Sequence, residues 1–251
     1  MLKFENITVR RGERIVLSGI DFCLRPHRLT AVLGKNGCGK STLVSCVTGQ
    51  VKYTGDILLS DRSLRFMSSR ARAEQIAVLP QLLQPAPLTV YQLVSLGRSP
   101  YLDLAGRLSQ ADKLRIEEAI ILTGIDDLRD KRADLLSGGE LRKAYLAMIL
   151  AQNTRIVILD EPAAYLDMEN ENELVIILNK LKTLHKKTLM VVMHDLTRAA
   201  EISDDVLIID GGRKYFYGSR VECLETSAIE KCFNVHRTTY EKEGVIFPVF
   251  Y

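Results

Sequence analysis

The chain has 251 residues, of which 47% are hydrophobic and 26% are charged. This composition is typical of a globular protein and excludes wholesale disorder and a fibrous repeat. Lysine and arginine number 34 and aspartate and glutamate 31, so the net charge of +3 argues against a dedicated nucleic-acid binder. The longest apolar runs, residues 144–151 and 189–193, fall far short of the ~20 residues of a membrane-spanning helix. We therefore expect a cytoplasmic protein whose five cysteines, without a Cys-x-x-Cys pair, are reduced thiols.

The N-terminal segment has the pattern of a β-hairpin. Residues 2–9 and 15–24 flank a turn at Gly12, which predicts a small antiparallel β lobe. Five short apolar runs rich in leucine and β-branched residues follow: Leu29–Leu33, Ile76–Leu79, Ile156–Leu159, Leu189–Met193 and Val206–Ile209. Such runs, separated by helical segments, predict an α/β fold with a parallel sheet buried on both faces.

Between residues 89 and 152 the strand pattern gives way to helical patterns. Three helices are predicted there: Thr89–Leu96, Gln110–Thr123 and Ser137–Gln152. The run Gly97-Arg98-Ser99-Pro100 between the first two is typical of a loop. This region therefore predicts an inserted α-helical lobe. Near the C-terminus, residues 227–233 predict a short helix and residues 237–251 a hairpin.

A phosphate-binding motif follows the first buried strand. Residues 34–41 match Gly-x-x-x-x-Gly-Lys-Ser and lead from a strand into a helix, as a phosphate loop requires. The glycines let successive backbone N–H groups point at phosphate oxygens, and the helix N-terminus adds a positive dipole. Lys40 is predicted to reach the β and γ phosphates, and the Ser41 hydroxyl to bind Mg²⁺. The candidate nucleotide-binding residues are Gly34, Asn36, Gly37, Cys38, Gly39, Lys40, Ser41 and Thr42.

Two adjacent carboxylates end another apolar strand. Asp160 and Glu161 follow residues 156–159, and consecutive strand residues face opposite sides, so the two can take different roles. Asp160 is suited to bind Mg²⁺. Glu161 is suited to polarise the water that attacks the γ phosphate.

A second glycine motif precedes a predicted helix. Leu136-Ser137-Gly138-Gly139-Glu140 offers Ser137 as an N-cap, and its glycines leave backbone N–H groups open to an anion. Together with the phosphate loop and the strand-end carboxylates, this signature resembles the ATP-binding cassette (ABC) ATPases. The resemblance implies ATP and Mg²⁺ as cofactors and a P-loop NTPase (RecA-like) parallel-sheet core with the β lobe and the helical lobe.

The resemblance also implies a division of the chain. Residues 1–251 are expected to form a single ABC ATPase domain. Within it, residues 1–84 and 153–224 would form the β lobe and RecA-like core, residues 85–152 the helical lobe, and residues 225–251 a C-terminal extension.

Further roles follow from the same resemblance. Gln81 matches the Q-loop glutamine, implied to contact Mg²⁺ and water, and His194 matches the switch histidine that senses the γ phosphate. Ala164-Tyr165-Leu166-Asp167 resembles the D-loop, which touches the opposite subunit. Where the family usually has an aromatic residue to stack on adenine, this chain has Arg11, whose guanidinium can also stack.

A narrower resemblance is carried by residues 88–100, which contain Thr-Val and Gly-Arg-x-Pro. This run is similar to the ATP-binding subunits of iron(III)-siderophore, haem and cobalamin importers. It implies a dimer with a second copy, in which Ser137, Gly138 and Gly139 of one copy face the ATP held by the other. It also implies a separate permease, an indirect solute-binding partner and a peripheral place on the inner face of the cell membrane.

Other functions of the same superfamily are alternatives. The chain could serve an importer of another solute or act as an iron–sulfur assembly ATPase, although the Gly97–Pro100 run argues against the latter. Chromosome and repair ATPases separate the two glycine motifs by long coiled coils or extra domains, for which the interval here, about 100 residues, leaves no room. No nucleic-acid partner is expected.

Overall fold

The computed structural model describes residues 1–103, 105–164, 166–242 and 245–251. The strands in these ranges are β1 (Leu2–Arg11), β2 (Arg14–Leu24), β3 (Leu29–Leu33), β4 (Thr54–Leu59), β5 (Arg62–Ser63), β6 (Ile76–Leu79), β7 (Ile156–Asp160), β8 (Thr188–Val192), β9 (Asp205–Asp210), β10 (Arg213–Ser219), β11 (Arg237–Lys242) and β12 (Val245–Phe250). The α-helices are α1 (Lys40–Thr48), α2 (Ser69–Ala73), α3 (Val90–Ser95), α4 (Gln110–Leu122), α5 (Gly138–Ala151), α6 (Met168–Thr183), α7 (Leu196–Ile202), α8 (Arg220–Glu225) and α9 (Ala228–Phe233). Within these ranges, no helix is both long enough and apolar enough to cross a lipid bilayer.

The chain forms two compact units. The first unit consists of Met1–Phe66 and Thr188–Tyr251, and the second of Met67–Lys187. In the first unit, β1 and β2 form the predicted antiparallel hairpin, with Leu2 opposite Leu24. The sheet continues beyond β1 with β4 and β5, in the order β2-β1-β4-β5. The predicted antiparallel β lobe is confirmed.

Parallel strands form the centre of the first unit. Strand β3 lies between β8 and β9 and is parallel to both, with Leu29 paired to Leu189 and Thr30 paired to Asp205. All five residues of β3 are buried. Strand β10 adds to β9 in the antiparallel direction. The continuous apolar pattern of β3 thus reflects a strand covered on both faces, as predicted.

The C-terminal segment packs on helix α7 of the same unit. Strands β11 and β12 pair antiparallel, and the Phe250 N–H donates to the Thr197 hydroxyl at 3.1 Å. The Phe250 side chain packs against a buried cluster of the first unit together with Met193 and Leu196. The predicted short helix and C-terminal hairpin are both found, as α9 and β11–β12, apart from residues 243 and 244, which lie outside the described ranges.

The second unit combines the parallel strands β6 and β7 with helices α2 to α6. Helices α3, α4 and α5 share a core that includes Val90, Leu93, Ile120 and Ala144, each at most 1% exposed. The three helices predicted between residues 89 and 152 are therefore confirmed. Helix α6, with 16 residues, is the helical segment expected between the runs Ile156–Leu159 and Leu189–Met193, although no bounds were predicted for it.

The run Gly97-Arg98-Ser99-Pro100 is not a loop but part of a 3₁₀ turn over Leu96–Tyr101 that continues α3. Arg98 is buried and forms an ion pair with Asp112 of α4 at 2.8 Å. The same guanidinium donates to the carbonyl oxygens of Ala151 and Gln152, where α5 ends. Arg98 therefore joins the start of α4 to the end of α5.

Candidate nucleotide-binding and hydrolysis site

The phosphate loop connects β3 to α1 in the first unit. Lys40, the first residue of α1, is 5% exposed, and its Nζ donates to the Gly34 carbonyl oxygen at 2.7 Å. Asn36, Gly37 and Ser41 are exposed. The loop thus holds its ammonium group close to its own backbone and presents a hydroxyl at a helix N-terminus, an arrangement suited to a phosphate chain.

Two positions of this loop have no room for a side chain and require glycine. A Cβ added at Gly34 would collide with the Cys38 sulfur and the Ile209 carbonyl oxygen. Gly39 has a φ of 108°, and a Cβ there would collide with the Leu17 side chain. The loop can therefore curl this tightly only with glycine at both positions.

The side chain of Cys38 lies inside the same loop. It is buried, and burial raises the pKa of the thiol above its ordinary value. The neutral thiol is therefore favoured, and its sulfur packs against the space beside Gly34.

The other predicted residues of the first unit lie at element ends. His194 is exposed and follows the last residue of β8 by two positions. Asp195 caps α7 by accepting the Arg198 backbone N–H at 2.8 Å. Arg11, the last residue of β1, is exposed and pairs with Arg14 across the hairpin.

In the second unit, the strand-end carboxylates have different surroundings. Asp160 is the last residue of β7 and is 4% exposed, whereas Glu161 follows the strand and is only partly buried. Glu161 has a φ of 52°, a left-handed conformation that is uncommon outside glycine. The Gln81 Nε2 donates to the Glu161 Oε2 at 2.6 Å. The structure thus brings together two of the predicted catalytic residues and holds one in a strained backbone conformation.

Arg142 on α5 organises this pair and was not predicted from the sequence. It is 6% exposed; its Nη1 donates to the Glu161 carbonyl oxygen at 2.6 Å and its Nη2 to the Gln81 carbonyl oxygen at 3.1 Å. The available signal was the spacing 142, 146, 149, which places an arginine on the same helical stripe as buried Leu146 and Ile149. A charge on an apolar stripe indicates a buried polar partner.

The signature motif begins α5 with a capping box, which confirms Ser137 as the N-cap. The Ser137 hydroxyl accepts the Glu140 N–H at 3.3 Å, and the Glu140 carboxylate accepts the Ser137 N–H at 2.8 Å. Chiefly because of that second bond, the pKa of Glu140 lies below its ordinary value. Glutamate at this position thus remains charged and stabilises the first turn.

Gly138 is not required by the fold of this chain. Its φ is not positive, and apart from its chain neighbours and the backbone of its own helix no described atom lies within 4 Å of a Cβ added there. The missing side chain instead leaves the N-terminus of α5 open on its outer side.

Part of the predicted D-loop can be placed. Tyr165 lies outside the described residues, and Asp167 is the N-cap of α6, accepting the Asn170 N–H at 2.9 Å. That hydrogen bond is the main reason why the pKa of Asp167 is lowered. Asp167 therefore has a structural role of its own.

The family of the chain follows from comparison with known proteins. A family model for ABC transporters matches residues 17–164, more than half of the chain. The chain is 34% identical to the petrobactin import ATP-binding protein FpuD of Bacillus anthracis, over 236 residues that cover 93% of this chain and 86% of that protein. It is 33% identical to the achromobactin transport ATP-binding protein CbrD of Dickeya dadantii, over 231 residues that cover 91% and 86%. The chain belongs to the ABC transporter family.

A solved structure confirms the fold. The subunit assigned to a metal-chelate type ABC transporter in an inward-facing conformation superimposes with a TM-score of 0.85 at 22% identity, covering 100% of this chain and 96% of that one. The fold is that of the P-loop NTPases. As a member of this family the chain is an ABC-type ATPase, an enzyme that binds and hydrolyses ATP.

Proposed function

We propose that this chain is the ATP-hydrolysing subunit of an importer for an iron(III)-siderophore or a related chelate such as haem or cobalamin. The observation that carries the transport class is the likeness to FpuD and CbrD over more than nine-tenths of the chain. Their names refer to two different siderophores, so the class of solute, rather than one compound, is what the likeness supports.

The proposed chemistry gives the residues of the two units separate roles. The phosphate loop, with Lys40 and the N-terminus of α1, binds the triphosphate, and the Arg11 guanidinium stacks on adenine. Glu161, held by Gln81, accepts a proton from the attacking water as its oxygen bonds to the γ phosphorus and the bond to the bridging oxygen breaks. The products are ADP and phosphate, and His194 contacts the γ phosphate.

Each of the two units carries oxygen donors that suit Mg²⁺. Ser41 offers an exposed hydroxyl, Asp160 a strand-end carboxylate and Gln81 an amide oxygen, which are the hard ligands that Mg²⁺ prefers. Among the described residues no group of three or more His, Cys, Asp or Glu side chains could hold a metal by itself. When bound, Mg²⁺ offsets the negative charge of the phosphates.

A second copy of the chain would complete the site. Gly138 has no side chain, so the N-terminus of α5 is left open, and no other element of the described chain packs into the space where a Cβ would lie. We infer that the space receives the γ phosphate bound by a second copy, with Ser137, Gly138 and Gly139 donating N–H groups and the D-loop, including Asp167, at the same interface. Hydrolysis would remove this shared contact and open the dimer.

The remaining partners follow from the transport class. A separate permease would dock on the helical lobe (residues 85–152) and the Q-loop, and a solute-binding protein would act through the permease. The chain would then lie on the inner face of the cell membrane. Within the chain, residues 1–84 and 153–224 would form the β lobe and core, and residues 225–251 an extension.

Reconstitution tests the proposal. The chain, co-expressed with the permease and binding protein encoded beside it, should support ATP-dependent uptake of ⁵⁵Fe(III)-petrobactin or another ferric siderophore into proteoliposomes. Stimulation of ATPase activity by a different solute, with no ferric chelate transported, would overturn the transport class while leaving the ATPase intact. ATP hydrolysis by a Glu161→Gln variant at the wild-type rate would overturn the catalytic assignment.

A further inference from the structure

The second unit contains a cavity of about 460 Å³ outside the residues proposed for catalysis. It lies between α4, the C-terminal end of α5, β7 and the end of α6. Its walls are mainly aliphatic and include Leu122, Ile149, Val157 and Leu181. A volume of this size falls in the range of roughly 300–1,000 Å³ that is typical of small-molecule sites.

Basic side chains line one part of this cavity. They are Arg115, His185 and Lys187. Lys187 is half-buried, and its Nζ donates to the Asn153 side-chain oxygen at 2.7 Å. In the described part of the chain no carboxylate pairs with Lys187, and the acidic lining residue Glu118 is paired with Arg115 at 2.7 Å. The Lys187 ammonium group, at the solvent-accessible edge of the aliphatic walls, therefore has a neutral hydrogen-bond partner and no carboxylate partner among the described residues.

The surroundings of Lys187 favour an anionic ligand over a neutral one. Burial and, second, the charge of Arg115 lower the pKa of Lys187. Both causes oppose the charged ammonium, and a negative ligand group would offset both. A hydroxyl or amide ligand would offset only the loss of hydration, whereas a carboxylate adds a charge-assisted hydrogen bond.

We propose that this cavity binds a small amphipathic carboxylate, with its anionic group on Lys187 and its hydrocarbon body against Leu122, Ile149 and Leu181. Aliphatic walls beside an ammonium group that lacks a carboxylate partner favour a hydrophobic acid over a polar metabolite such as a sugar phosphate. This ligand would be distinct from the nucleotide, because the lining includes none of the residues proposed to bind ATP or Mg²⁺.

The experiment uses decanoate as the probe, below its micellar concentration, and decanol as the uncharged match. Isothermal titration of the full chain should show saturable binding of decanoate that MgATP does not displace. Lys187→Met should weaken decanoate binding tenfold or more and leave decanol binding within twofold. Lys113→Met, which removes an exposed cation of α4 outside the lining, is the control and should bind decanoate as the wild type does.

A second variant separates binding from folding. Leu122→Trp fills the cavity and should abolish binding of both probes while thermal unfolding and ATP binding stay at wild-type values. The proposal is overturned if the folded wild-type chain does not bind decanoate, if Leu122→Trp still binds it, or if Lys187→Met and Lys113→Met weaken binding equally.

Discussion

The side-chain amide of Gln81 donates a hydrogen bond of 2.6 Å to the carboxylate of Glu161, across 80 residues of sequence. These residues follow the parallel strands β6 and β7, and pairing of the strands brings their carboxyl ends together. The amide thereby orients the carboxylate that is proposed to act on the attacking water. This bond links the position of Gln81 to the position of the proposed general base.

Replacing Glu161 by glutamine should abolish hydrolysis without abolishing binding. Glutamine keeps the shape but cannot accept a proton from water, so we expect a loss of turnover of about 10²–10⁴-fold. Phosphate release measures turnover, and fluorescent ATP binding together with gel filtration measures affinity and the ATP-bound dimer. The matched control is Glu169→Gln, an exposed site on α6, which should hydrolyse ATP normally.

Arg142 should act on catalysis through position rather than contact. Arg142→Met leaves the carbonyl oxygens of Glu161 and Gln81 without this donor, at a cost of about 1–3 kcal/mol each in the free energy of unfolding. We expect kcat to fall more than ATP affinity, because the phosphate loop belongs to other elements. Arg142→Lys, which can replace one bond at a time, should recover part of kcat. Equal kcat in wild type and Arg142→Met would contradict the positioning role.

The Arg98–Asp112 ion pair should contribute far more to the free energy of unfolding than a surface ion pair does. It is buried, so Arg98→Met leaves an uncompensated carboxylate and should lower the free energy of unfolding by about 3–5 kcal/mol in urea denaturation. The control is Arg132→Met, which breaks an exposed pair with Asp134 and should change stability little.

The Arg98–Asp112 pair also predicts that the stability of the fold depends on pH. Burial raises the pKa of Asp112, but hydrogen bonds from Ser109 and Arg98 outweigh it, and the pKa is lowered overall. A carboxylate with a lowered pKa in the folded state adds stability above its unfolded pKa and loses it as the pH falls through the folded pKa. The stability difference between wild type and Arg98→Met should therefore shrink on acidification below about pH 4. A constant difference from pH 7 to pH 2 would count against the ion pair as its cause.

Gly138 provides a test of the dimer that does not depend on folding. Alanine at this position has space in the single chain and should raise stability by about 0.4–1 kcal/mol. In the proposed dimer the added methyl would enter the phosphate-facing N-terminus of α5, so ATPase activity should fall. Gly97→Ala is the contrasting variant: its Cβ would collide with the Met148 carbonyl oxygen, costing about 1–3 kcal/mol of stability. A Gly138→Ala variant with full activity would contradict this interface.

Elements with local signals could be predicted from the sequence. The buried strand β3, the phosphate loop after it and the Ser137 cap each depend on residues within a few positions of one another. Strands β4 and β5 were missed because Thr54–Leu59 lacks a clean apolar pattern and Arg62–Ser63 is only two residues long.

The buried arginines show why the rest could not be predicted. Arg98 finds its partners 14 and 53 residues away, and Arg142 finds its partners 19 and 61 residues away. By itself, a Gly-Arg-Ser-Pro run is typical of a loop. In the folded chain the arginine of this run is bound by one carboxylate and two backbone carbonyl groups. The same sequence therefore supports a 3₁₀ turn only once α4 and α5 are folded around it.

The pairing of β3 has a consequence for how the protein is made. Leu29 pairs with Leu189, about 160 residues further along the chain. At a synthesis rate of roughly 5–20 residues per second, a ribosome needs about 8–32 s to deliver that partner. During this interval the five residues of β3, all buried in the folded unit and four of them apolar, lack both neighbouring strands, so the nascent segment exposes apolar surface of the kind that chaperones cover.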